Sequence, residues 1–284
     1  MYKPERLVDS GMYTLAVTGP SDAGKTTAVE RLVERIDAPV ATVKHLTHSP
    51  AIDTEGKDTA RHREAGAAVT YGLYEHRWFA TGAERSIEDI LDTLAPKYEY
   101  AILEGFADVA VPTVVVGSET EPAGEVLARY ETGKAIDVEA VLDALAETEE
   151  HVTLESLVAA VKETPAADRA GAIATFTGRV RRRDGPEDTP TEHLVFERYD
   201  EVATERLRTI EGEIASRDGV HAVRTHHRTG VINAGEDIVF VVVLAGHREE
   251  AFQAVEDGID RLKEEVPIFK KEVTVDDAFW RHEA

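Results

Sequence analysis

Hydrophobic positions along this chain come in two kinds of run, and the two kinds alternate. Residues 13–18 (YTLAVT), 98–103 (YEYAIL) and 112–116 (PTVVV) are short and almost continuously apolar, the pattern of strands buried on both faces. Residues 39–43 suggest a further strand. Between them apolar residues recur at helical spacing: Val29, Leu32, Val33 and Ile36 on one face, then a second periodic stretch over 86–94. Strand alternating with helix predicts an α/β domain with a mostly parallel sheet, closed by a short helix over 137–146.

Beyond the acidic segment at 147–151 the rhythm changes. A helix over 154–161 leads into strands at 172–177, 193–196, 222–226 and 238–244, with long helices over 202–216 and 249–265. Clustered strands beside long helices predict an α+β domain. The boundary is set at 148/149, giving domains 1–148 and 149–284. In the last helix Phe252, Val255, Ile259, Leu262 and Val266 form the expected buried stripe.

Composition narrows the function. The net charge is -23, with 14 Lys/Arg against 26 Asp/Glu up to Thr148 and 18 against 29 afterwards. Acid spread over both halves disfavours nucleic acid and anionic membranes as partners. Together with only ten lysines, it resembles the composition of a cytoplasmic protein from a salt-loving archaeon, the alternative being an ordinary acidic enzyme. The N-terminal residues lack the apolar core of a signal peptide, and the longest apolar stretch, 238–245, is far below a membrane span, so a cytoplasmic location is expected. There is no cysteine, which excludes disulfides, thiolate metal sites and cysteine nucleophiles. Any sulfur chemistry must use sulfur carried in by another molecule.

The segment Gly19-Pro-Ser-Asp-Ala-Gly24-Lys25-Thr26-Thr27 fits the phosphate-loop pattern, and it stands between a predicted strand and a predicted helix. Glycines let backbone N–H groups curl around phosphate oxygens, and the next helix aims its positive end at the same anion. Lys25 is placed for the outer phosphates and Thr26 for Mg²⁺. Glu104, at the end of a strand, is either a solvated acid or a carboxylate that orients Mg²⁺-bound water. His45, His48 and His62 do not fall on one helical face, and a structural or surface role is expected for them rather than metal binding.

These elements resemble the MobB family: the phosphate loop, VKH at 43–45 with a second His three residues on, GKD at 56–58 and EGF at 104–106. The resemblance spans most of residues 12–146 and implies GTP and Mg²⁺ binding, with weak or accessory hydrolysis, in molybdenum cofactor assembly. It also implies MobA-like or MoeA-like partners. Where that family carries Lys after EGF, this chain has Ala107.

The second half holds basic islands in an acidic background: Arg179, Arg181, Arg182 and Arg183, then Lys263, Lys270 and Lys271. Such clusters are either solvated patches paired with neighbours such as Glu264, Glu265 and Glu272, or a site that needs amines. Lys263 borders the apolar stripe, four residues after Ile259. There it is expected to be partly withdrawn from water, with the lowered pKa that makes an amine a usable base or nucleophile. Pro267 ends the helix and can bring Lys270 back toward Lys263. His247 and Arg248 sit at the start of that helix, a good place for a phosphate, although His247 by itself reads as a capping or packing histidine.

FTGRVR (176–181), HHRTG (226–230), GEDIVFVVVLAGHREEAF (235–252) and RLKEEVPIFKKE (261–272) together resemble MoaE, the catalytic subunit of molybdopterin synthase, across essentially the whole second half. The resemblance implies sulfur transfer to cyclic pyranopterin monophosphate, in two steps, to form the dithiolene of molybdopterin, with no cofactor needed for the transfer itself. The sulfur arrives as a thiocarboxylate on the C-terminal Gly-Gly tail of a MoaD-like, ubiquitin-fold carrier, and a homodimer through this domain is expected. Carried over by position, Lys263 serves the thiocarboxylate end. Lys270 serves proton transfer or transient attachment at the pterin. Arg181, His247 and Arg248 hold phosphate and pterin, Phe176 lines the pocket, and Arg179 and Lys271 support. The family's C-terminal Arg aligns with Ala284, and Arg281 is a candidate replacement. Two other readings stay open: a docking module for ubiquitin-like proteins switched by the phosphate loop, and a P-loop kinase with Arg61 and Arg63 as clamps.

Overall fold

The computed structural model describes residues 11–48, 58–274 and 278–281. Gly56 and Lys57 of the GKD motif and Ala284 lie outside the described residues. The chain divides into two compact units that meet in sequence at His151 and Val152, three residues beyond the boundary expected from sequence.

The first unit runs β1 (Tyr13–Thr18), α1 (Lys25–Arg35), β2 (Val40–Lys44), α2 (Asp58–Glu64), β3 (Val69–Tyr74), β4 (Arg77–Gly82), α3 (Ile87–Leu94), β5 (Tyr100–Glu104), β6 (Thr113–Val116), β7 (Val126–Tyr130) and α4 (Val138–Leu145). Five strands form one parallel sheet in the order β2-β5-β1-β6-β7. The three central strands are buried almost throughout, which is why their sequences read as unbroken apolar runs. Because β1 pairs with β5 on one side and β6 on the other, the loop after β1 opens at the strands' carboxyl ends, where such sheets bind ligands. On α1 the buried residues are Ala28, Val29 and Leu32, whereas Val33 is 36% exposed and does not join the predicted stripe. The antiparallel hairpin β3–β4 and edge strand β7 escape the sequence reading. The hairpin's apolar residues are largely exposed, so burial leaves no pattern there, and β7 is only half buried.

The second unit runs α5 (Leu154–Lys162), β8 (Ala172–Arg179), β9 (Thr191–Arg198), α6 (Asp200–Ala215), β10 (Val220–His227), β11 (Gly230–Asn233), β12 (Asp237–Ala245), α7 (Arg248–Glu265), β13 (Ile268–Thr274) and β14 (Ala278–Arg281). Two antiparallel sheets result, ordered β10-β12-β8 and β11-β9-β13-β14. Strand β12 is the centre of the first. Val239, Val241, Val243 and Ala245 face a core made with α6 and α7, while Phe240, Val242 and Leu244 face α5. Both faces are covered, so its alternation is invisible in the sequence. The reciprocal Thr153–Ser156 capping box starts α5.

Helix α7 corrects the predicted stripe. Phe252 is 66% exposed, and the contact line instead runs through Ala251, Ala254, Val255, Gly258, Ile259 and Leu262. Small residues let α7 lie close on the sheet: a Cβ on Gly258 would come within 2.9 Å of Val241 Cγ1. Val255, Ile259, Leu262 and Val266 of the predicted stripe are buried as expected, and only Phe252 falls outside the contact. Pro267 ends the helix as expected, and the chain then enters β13, a strand whose Lys-Lys-Glu segment hides its β character.

Candidate functional sites

In the first unit the phosphate loop is built largely from backbone. Gly19 has φ 142° and Gly24 φ 91°, conformations that side chains rarely adopt. Gly19 also abuts the end of β6: a Cβ there would lie 1.9 Å from the Val116 carbonyl oxygen. Gly24 caps α1, whose first residues are Lys25, Thr26 and Thr27. Lys25 Nζ donates to the Gly19 and Pro20 carbonyls at 3.0 and 2.7 Å.

The VKH and EGF motifs, sixty residues apart, meet because β2 and β5 are neighbours, with Lys44 directly opposite Glu104. The His45 N–H donates to the Glu104 carbonyl at 2.9 Å, and the His45 and Phe106 rings lie 5.4 Å apart. Gly105, at φ 100°, leaves no room for a side chain, since a Cβ would sit 2.9 Å from His45 Cβ. Glu104 is buried at 9% exposure and is not a solvated acid. Its Oε1 accepts from Thr26 Oγ1 at 2.9 Å and pairs with Lys44 Nζ at 2.8 Å. A hydroxyl and a carboxylate are the hard oxygen donors Mg²⁺ takes while keeping phosphate oxygens and water as its other ligands, and a cationic group already stands beside them. The residues fit the ion. Among the described residues no group of three His, Asp or Glu could hold a metal.

The second unit contains a cavity of about 470 Å³ where its two sheets and the end of α7 meet. The size is that of a small-molecule site. Phe176 and Arg179 reach it from β8, Arg181 and Asp184 from the loop after that strand, and Lys263 from α7. Lys270 and Glu272 reach it from β13, on the same strand face because side chains alternate. Their cross-strand partners Phe196 and Leu194 line it too. Lys271 falls between them in the alternation and is not among the lining residues.

Lys263 is exposed to solvent, not withdrawn from it as the helical pattern predicts. Four cations, Arg179, Arg181, Lys263 and Lys270, face two carboxylates, Asp184 and Glu272, so the cavity is cationic within a chain of net charge -23. Arg181 pairs with Asp184 at 3.3 Å, Arg179 with Asp237 at 2.9 Å, and Thr191 Oγ1 donates to Glu272 at 2.5 Å.

His247 and Arg248 do not line the cavity. They lie at the start of α7, fifteen residues and thus about 22 Å from Lys263 along the axis. Sequence reasoning missed His227, which is buried against the cavity with its Nδ1 2.8 Å from the Arg228 carbonyl and its ring edge-on to Phe196. A carbonyl only accepts, so Nδ1 is the protonated nitrogen. Its place in the HHRTG motif was the available signal.

Fold and sites define a P-loop domain joined to an α+β domain with a cationic cleft. A family model described as MoaE protein matches residues 147–265, and one described as molybdopterin guanine dinucleotide synthesis protein B, MobB, matches 14–143. A probable molybdopterin synthase of Haloferax volcanii is 48% identical over 273 residues, covering 96% of this chain and 100% of that protein. The molybdopterin synthase catalytic subunit of Pyrococcus abyssi is 35% identical over 131 residues, 46% of this chain and 84% of that protein. The crystal structure of molybdopterin synthase from Staphylococcus aureus shares 34% identity over 41% of this chain and 83% of that one, with a TM-score of 0.38. The chain belongs to the MoaE family, in a form that carries a MobB domain ahead of the MoaE domain. Membership places it in molybdenum cofactor biosynthesis, as an enzyme chain. Among the described residues no helix is long and apolar enough to cross a membrane.

Proposed function

We propose that the second domain transfers sulfur from a thiocarboxylated, MoaD-like ubiquitin-fold carrier to cyclic pyranopterin monophosphate, and that the first binds GTP with Mg²⁺. The observation that carries the first part is the convergence of Lys263 and Lys270 on one cationic cavity, from a helix and a strand separated by a proline turn. Lys263, near the solvent, meets the thiocarboxylate end of the carrier's tail. Lys270, on the strand floor, moves a proton or forms a transient bond at the pterin. Arg181, with Arg179 in support, holds the anionic end of the substrate, and Phe176 packs against its rings. The missing cysteine agrees with sulfur brought in by the carrier.

Lys271, beside the cavity on β13, stays as a supporting charge, and His247 and Arg248 stay under a condition. A single copy does not carry His247 and Arg248 to the cavity, so they contact substrate only if a homodimer presents them from a second copy. Coexpressing a Lys263→Ala chain with an Arg248→Ala chain tests this: recovered activity in the mixed dimer is expected, and its absence removes both residues from the substrate site.

In the first domain the loop N–H groups and Lys25 hold the phosphates, while Thr26 and Glu104 hold Mg²⁺ or its water. Mg²⁺ there would neutralise phosphate charge. The direct test of the whole reading is conversion of cyclic pyranopterin monophosphate by the purified chain at high salt with a thiocarboxylated carrier. Product that requires both lysines supports it. Tight carrier binding without product favours a docking module instead.

A further inference from the structure

We propose that Lys44 is a nucleotide-binding residue of the P-loop site. Its ammonium holds the place of the divalent cation between Thr26 and Glu104, and it passes to the terminal phosphate when nucleotide and metal arrive. The inference rests on the reading of the first domain as nucleotide-binding.

Three atoms carry it. Lys44 Nζ lies 2.8 Å from Glu104 Oε1 and 3.4 Å from Thr26 Oγ1, while Thr26 donates to the same Oε1 at 2.9 Å. One positive charge is thus centred on the hydroxyl and carboxylate that the phosphate-loop pattern assigns to the metal. The placement is fixed by backbone: Lys44 and Glu104 are direct partners across the parallel β2–β5 pair, and Thr26 is the second residue of the helix that the loop caps.

Glu104 is too buried to be left without a cation or donors, so something must stand there before a metal does. Mg²⁺ binds oxygen at about 2.1 Å, and it cannot share Oε1 with an ammonium without strong like-charge repulsion. Entry of the metal therefore expels Lys44. The lysine side chain is 53% exposed on a flexible four-carbon stem, so it can leave without disturbing the core. The densest negative charge within its reach is then the triphosphate's outer end. The exchange makes metal and nucleotide binding mutually dependent: the ammonium gives up Glu104 only when phosphate replaces it.

The test uses Mn²⁺ in place of Mg²⁺, titrated onto the full-length chain and followed by electron paramagnetic resonance. The Glu104→Gln variant defines adventitious binding to this acidic protein. Wild type is expected to show no Glu104-dependent Mn²⁺ binding until GTP is added. Lys44→Met is expected to bind Mn²⁺ without nucleotide, about tenfold tighter or more, and to bind GTP in saturating Mg²⁺ about tenfold more weakly. Lys44→Arg keeps the charge and should stay near wild type. Tight nucleotide-free Mn²⁺ binding by wild type overturns the proposal whatever the variants do. Equal affinities in wild type and Lys44→Met overturn it as well, and unchanged GTP affinity alone removes the phosphate role. If wild type binds no GTP at all, the nucleotide-binding reading fails instead, while the nucleotide-free Mn²⁺ comparison still decides whether Lys44 holds the cation's place.

Discussion

The two domains present anion-facing groups by opposite means. In the first, nine consecutive residues, Gly19 to Thr27, supply the loop, and its shape depends on glycines that pack against backbone, Gly19 against Val116 above all. In the second, the cavity draws side chains from β8, the loop after it, α7 and β13, nearly a hundred residues apart at the extremes. A backbone site should fail when a side chain is added where none fits. A side-chain site should fail when a head group is removed, with the fold left standing.

The largest expected effect is on the second domain. Lys263→Ala and Lys270→Ala should each lower sulfur transfer by about a hundredfold or more, the usual contribution of a positioned proton-transfer group. Circular dichroism and melting should stay near wild type. Lys25→Ala should remove nucleotide binding and leave sulfur transfer within about twofold, since truncating a head group at one site leaves the other intact. Dithiolene product formed at the wild-type rate by either lysine variant at the cavity would sink the assignment.

Next comes Gly19→Ala. The added Cβ collides with a backbone oxygen and sits at a φ of 142°, so neither relief is cheap. We expect about 3 kcal/mol or more of lost stability, confined to the melting of the first domain, together with lost nucleotide binding. A variant that melts like wild type would show that the loop is looser than its packing indicates.

Arg181→Ala is smaller and of the opposite kind. Its side chain is 78% exposed, so stability should hold. KM for the pterin phosphate should rise about tenfold with the loss of a charge-assisted contact. A fall in kcat at unchanged KM would instead make Arg181 part of the chemistry.

The same contrast explains what could be read from sequence. The P-loop needed only local order: strand, glycine loop, helix. The pairing of Lys44 with Glu104 was illegible because it depends on which strands are neighbours, and β5 enters the sheet between β2 and β1. In the second domain the lysines were legible through resemblance, and the proline turn between them through chemistry. The distance of His247 from the cavity comes from simple helix length, yet resemblance alone placed it with Lys263. Strands β11, β13 and β14 stayed hidden because charges, glycine and short length mask β pattern that only pairing with a neighbouring strand reveals.

The smallest predicted effect separates a working carboxylate from a structural one. Glu104 stands among a hydroxyl and an ammonium that can exchange. Glu211, on α6, is held against β10 by the Thr225 N–H at 2.5 Å and the Thr225 hydroxyl at 2.7 Å. Burial pushes its carboxyl above the usual value of 4.5, and those two hydrogen bonds, with Arg224 and Arg208, only partly offset the push. The folded state therefore holds this proton more tightly than the unfolded chain. The stability it lends is fully present below pH 4.5 and is lost as pH rises through the raised folded value. Glu211→Gln, which keeps an oxygen for Thr225, should remove that term. The difference in unfolding free energy between variant and wild type should then grow in the variant's favour as pH rises from 4.5, with a slope no steeper than one proton, about 1.4 kcal/mol per pH unit. Urea titrations at a series of pH values read this difference directly. A flat difference would mean that Glu211 titrates alike in both states, and that the α6–β10 seam is wetter than its packing implies.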